Sequence, residues 1–137
     1  MGPRQLEINS LVVEVSDKQF EDIVGEAIDK IPKLYQSRLD NVAFIIEDDP
    51  SPQQRINLKL HCDQTLLGLY EGVPLPQRNG STKLLPDKIT IFKNPLVASS
   101  RDLSDLKKRV GHTVWHEVAH YYGLGHKRIH ELDTKNS

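Results

Sequence analysis

Cysteine is nearly absent from this chain. The one residue, Cys62, has no partner within the molecule. No intrachain disulfide can form, which suits a reducing compartment. A lone thiol with no visible partner reads as a small, partly buried residue rather than a nucleophile or metal ligand. Methionine is equally scarce, with Met1 alone. No charged-then-apolar leader and no apolar run of about 18 residues occur, so a cytoplasmic protein with no membrane contact is expected. A surplus of positive charge is missing too. Lys and Arg number 18 against 19 acids, for a net charge of −1. No nucleic-acid partner is expected from that balance. What remains is ordinary: 137 residues, 37% hydrophobic and 27% charged. That is one domain over residues 1–137, able to bury roughly two-thirds of its unfolded surface, with 1–15 as a possible extension. Oligomeric state is not encoded in any readable way.

Against this plain background one stretch stands out, His116-Glu117-Val118-Ala119-His120-Tyr121-Tyr122-Gly123-Leu124-Gly125-His126. On a helix, histidines four residues apart lie about 40° apart around the axis and one turn along it. Both imidazoles can then reach one ion from the same face. A catalytic zinc takes three protein ligands and keeps a fourth position for water. His116, His120 and His126 supply three imidazoles. Glu117 sits beside the open position, where a structural site has no need of a base. Gly123 permits the left-handed turn that stops the helix and brings residue 126 back toward the metal.

The motif, on a chain this short, resembles the minimal-zincin family of small bacterial zinc metallopeptidases, relatives of the metzincins. The resemblance runs from about Phe20 to Leu132. It takes in Phe20, Ile23-Val24 and Ala27-Ile28-Asp29 with Ile31-Pro32, then Leu66-Leu67-Gly68-Leu69-Tyr70-Glu71-Gly72 and Leu85-Pro86-Asp87-Lys88-Ile89-Thr90-Ile91-Phe92. It implies a zinc peptidase acting on peptides or proteins, with substrates generally unassigned in the family. Many members carry aspartate at the third-ligand position, where this chain has His126, as metzincins do. The methionine turn of metzincins is missing.

The remaining chain supports an α+β fold. Ser16 and Gln19 form a capping-box pair, flanked by Val15 and Phe20 as a hydrophobic staple. Phe20, Ile23, Val24, Ala27, Ile28 and Ile31 then trace one apolar stripe, a helix over 17–31 ended by Pro32. Residues 11–15 read as an edge strand or as the lead into that helix. Val42–Ile46 is an unbroken β-branched run, the mark of a strand covered on both faces. Glu47-Asp48-Asp49 reads as a solvated turn, since it lacks the alternation of a calcium loop. Ile56, Leu58 and Leu60 permit a short strand. Leu66–Tyr70 reads as a strand in which Gly68 marks a bulge or a close backbone approach. Residues 72–86 read as loop. Ile89 and Ile91 lie on a strand ending at Phe92, broken by Asn94-Pro95. Asp102 caps a second helix, 103–122, with Asp105 in its first turn. That helix turns Leu103, Leu106, Val110, Val114 and Tyr121 to the core, with Trp115 packing on another side. Its neighbouring stripe carries Thr113, His116, Glu117 and His120. A mixed sheet of three to five strands should pack on both helices, with zinc between the sheet edge and the second helix.

The expected chemistry is hydrolysis of a peptide bond by a zinc-activated water, with Glu117 as general base. Tyr70, Tyr121 or Tyr122 could assist at the oxyanion, and an extended strand such as 66–71 could hold the substrate by strand addition. His61 and His112 stand apart from the ligand stripe. His130, four residues beyond His126, is a competing third ligand. Two other classes remain: a non-enzymatic metal-binding or interaction module, and a three-histidine endoribonuclease. The latter carries glycine where Glu117 stands and favours a basic cleft.

Overall fold

A computed structural model describes residues 13–39, 41–57, 66–72 and 86–124. Cys62, His61, His126 and His130 fall outside those residues. Val13 to Ser16 form no strand and lead directly into helix α1, Asp17–Asp29. The Ser16 hydroxyl accepts from the Gln19 N–H at 3.1 Å, and the Gln19 side chain accepts from the Ser16 N–H at 2.7 Å. Two donors that the first turn leaves without helical partners are thereby satisfied. The helix ends two residues before the expected Ile31. Pro32 instead starts a short helix, α2, Lys33–Gln36. The Gln36 amide donates to the carbonyls of Ile28, Asp29 and Ile31 at 2.7–3.2 Å. The Ile28 carbonyl also accepts from the Ile31 N–H at 3.1 Å, and the Gln36 side chain thus ties α2 to the end of α1.

The sheet has three strands among the described residues, in the order β1 (Val42–Glu47), β3 (Asp87–Phe92), β2 (Gly68–Glu71). β1 runs parallel to β3 and β2 antiparallel to it, so the sheet is mixed. The expectation that 42–46 is covered on both faces needs correction. Among the described residues β1 is an edge strand, half-buried at all six positions. The doubly covered strand is central β3, where Asp87, Ile89, Thr90, Ile91 and Phe92 are all fully buried.

Two helices replace expected non-helical segments. Helix α3, Pro52–Asn57, takes in Ile56, where the alternating pattern permits a short strand. Ser51 and Gln54 form the same reciprocal cap as Ser16 and Gln19. Helix α4, Lys93–Ser99, starts where β3 ends and runs through Asn94-Pro95. Pro95 is tolerated because it sits in the first turn, where no intrahelical N–H bond is lost.

Helix α5, Leu103–Tyr121, is the axis of the molecule and packs on α1, α4, β2 and β3. Asp102 caps it, accepting from the Asp105 N–H at 2.8 Å. Leu106, Val110, Val114 and Tyr121 are buried as expected, while Leu103 is left 47% exposed. Trp115 packs edge-on against Tyr35, with ring centres 5.1 Å apart. None of the described helices is long and apolar enough to cross a membrane.

Candidate metal centre

The last two turns of α5 face the edge strand β2 across a cleft of about 340 Å³. Leu66, Gly68, Leu69 and Tyr70 line one side, and His116, Glu117 and His120 the other. Gly68 makes this approach possible. A β-carbon there would lie 2.6 Å from Thr113 Cγ2 and 3.3 Å from Glu117 Cγ. Of the two expectations for this glycine, close backbone approach is the one realised.

His116 and His120 are half-buried, and their Nε2 atoms converge to 3.0 Å. A tetrahedral zinc, with bonds of about 2.0–2.1 Å to nitrogen, holds two imidazoles roughly 3.3 Å apart. The pair therefore suits one ion in both donor type and spacing. Residue 126, the expected third donor, lies outside the described residues. No group of three metal-binding side chains occurs among those described.

Glu117 is only 8% exposed. Burial pushes its carboxyl up from 4.5 to about 7, and the backbone N–H of Tyr70, which donates to it, partly offsets that rise. The strand register explains why this N–H is available. The Leu67 carbonyl accepts from the Phe92 N–H, so odd-numbered residues of this strand pair with β3. Gly68 and Tyr70 turn their backbone groups to the opposite edge, which meets no described strand.

The helix stops as the glycine predicted. Gly123 adopts φ 72°, its N–H donating to the His120 carbonyl and the Leu124 N–H to that of Ala119. This is a Schellman cap, and it directs the chain off the helix axis three residues before His126.

The three tyrosines separate clearly. Tyr121 donates its hydroxyl to the Arg38 carbonyl and Tyr122 to that of Tyr35, both away from the cleft. Tyr70 does line the cleft, but it donates its hydroxyl to Asp87 at 2.6 Å. Asp87 is fully buried at the start of β3. That pairing joins residues 17 apart and had no signal in the sequence beyond a carboxylate at the head of an apolar strand. His112 is half-buried on α5 and is not among the described residues lining the cleft.

No curated protein matches the chain at a significant level. A family model described as zincin-like metallopeptidase matches residues 39–136, which takes in the whole sheet, the cleft and the motif helix. The chain belongs to the zincin-like metallopeptidase family.

Proposed function

We propose that the chain is a zinc-dependent peptidase whose general base is Glu117 and whose metal ligands are His116, His120 and His126. The observation that carries this reading is a buried carboxylate that lines the same cleft as two converging imidazoles. Zinc, when bound, lowers the pKa of water and polarises a carbonyl oxygen. Glu117 takes the proton as water attacks the scissile carbonyl, and delivers it to the departing amine as the C–N bond breaks. In the metal-free chain burial raises the affinity of this carboxyl for a proton, and a bound dication would favour its charged, proton-accepting form. On the outward-facing edge of β2, where the Tyr70 N–H already donates to Glu117, the backbone of Gly68 offers an extended peptide hydrogen bonds beside the imidazoles. Tyr70 serves as a wall of the cleft rather than as the oxyanion donor, because its O–H is committed to Asp87.

Neither alternative class gains an observation. The described lining of the cleft contains no Lys or Arg to hold a nucleic-acid backbone. A pure binding module would have no use for a buried carboxylate next to its imidazoles.

Glu117→Gln is the deciding variant. It keeps the shape and should keep zinc, while hydrolysis in a broad peptide-library digest falls by roughly 10²–10⁴. Cleavage that persists equally in the variant rules out this role for Glu117. Metal analysis should give about one zinc per chain, lost in His126→Ala. If zinc survives there and is lost in His130→Ala, the third ligand is His130.

A further inference from the structure

A second, larger cavity of about 590 Å³ lies at the carboxyl ends of the parallel strands β1 and β3. Its volume falls within the range of about 300–1,000 Å³ common for ligand pockets. Hydrogen bonds tie its walls together. Asn94 donates its side-chain amide to Asp49 at 2.8 Å and its backbone N–H to the Asp48 carbonyl at 2.9 Å. The loop after β1 is thus tied to the start of α4, and Ser99 donates back to the Pro95 carbonyl at 2.7 Å. Leu66, just before β2, lines both this cavity and the metal cleft.

That shared residue gives the cavity a place in substrate binding. A peptide laid on the outer edge of β2, with its scissile bond opposite Gly68–Tyr70, reaches Leu66 two to four residues on. At about 3.4 Å per residue this is roughly 7–14 Å. Antiparallel alignment, which pairs slightly better than parallel, sends the carboxyl-terminal side of the substrate that way. The described lining has one acid, Asp49, and one base, Arg55, so its formal charges cancel. Pro50, Leu66, Pro95 and Ala98 supply apolar surface. We infer that this cavity is a specificity subsite for the same polypeptide substrate, taking a large uncharged side chain two to four residues beyond the cleaved bond. The inference rests on the peptidase reading above.

Ala98 tests it, because it lines the cavity yet is exposed, so that substitution disturbs little of the core. A proteome-derived peptide library is digested by zinc-loaded wild type, Ala98→Trp and Ala98→Glu, each confirmed as folded by circular dichroism, and the new termini are sequenced. Wild type should enrich a large apolar residue at one fixed position on the carboxyl-terminal side. Ala98→Trp should weaken that enrichment by roughly tenfold, about what one pocket contact contributes to selection. Ala98→Glu should replace it with a preference for Lys or Arg at the same position. Chelator-sensitive cleavage with identical preferences in all three proteins overturns the subsite and leaves the peptidase reading standing. A preference that follows residue 98 from the amino-terminal side overturns the antiparallel alignment. Absence of chelator-sensitive cleavage in all three overturns the peptidase reading, and the subsite with it.

Discussion

At Glu117, burial raises the cost of the charged form. The carboxyl titrates at 4.5 when unfolded and at about 7 in the folded chain without metal. Between those values the folded state holds a proton that the unfolded state has released. The stabilisation is complete below pH 4.5 and is lost as pH rises through 7. A rise of this size corresponds to up to roughly 3 kcal/mol. Metal-free wild type should therefore lose stability relative to Glu117→Gln between pH 4.5 and 8. Urea unfolding of both proteins in chelator, at several pH values, measures the difference, and the histidine contributions common to both largely cancel. A difference that stays flat with pH would mean that the carboxylate is already charged at neutral pH, and that water or another donor reaches it.

Where α5 meets β2, the decisive contact is one of size. Gly68→Ala places a β-carbon 2.6 Å from Thr113 Cγ2, so either the strand or the helix must move. Overpacking of this kind costs about 1–3 kcal/mol. Thr113→Ser removes the offending methyl and keeps the hydroxyl that donates to the Arg109 carbonyl at 2.8 Å. The double variant should therefore recover most of the loss, and a double-mutant cycle in urea reads the coupling. If the two effects simply add, the close approach is not what requires glycine here. At the end of the same helix, Gly123→Ala puts a side chain at φ 72° and should cost about 1–2 kcal/mol by the same measurement. These two glycines also show what the sequence could and could not convey. Gly123 was legible as a helix stop because the cap depends on local backbone geometry. Gly68 was legible as an anomaly in a strand, but its neighbour Thr113 lies 45 positions away, and no local pattern names it. Helix α3 was missed although its cap, Ser51 with Gln54, repeats the pattern that located α1. The alternation of Ile56, Leu58 and Leu60 has the period of a strand and obscures that cap. Helix α4 was missed because Asn94-Pro95 breaks a strand without forbidding a helix that begins there.

Across the whole molecule, the site depends on an element that contributes nothing to it chemically. The family match begins at residue 39 and leaves out α1. Yet Phe20, Ile23 and Val24 of α1 belong to the same buried core as Leu106, Val110 and Val114 of α5. The motif helix is thus held between the sheet and α1, and its first three turns present apolar side chains that need that cover. A fragment starting at residue 39 keeps every proposed ligand and the proposed base, but it uncovers this stripe. It should show little cooperative unfolding and bind zinc more weakly than the full chain, since the imidazoles would no longer be held in place before the ion arrives. Phe20→Ala makes the same point without truncation. Phe20 is fully buried, and its loss should cost about 3–5 kcal/mol while leaving all site residues intact. Zinc titration and thermal unfolding of full chain, fragment and Phe20→Ala give the comparison. A fragment from residue 39 that unfolds cooperatively and binds zinc as tightly as the full chain would show that α1 is an appendage, and that the sheet alone fixes the motif helix.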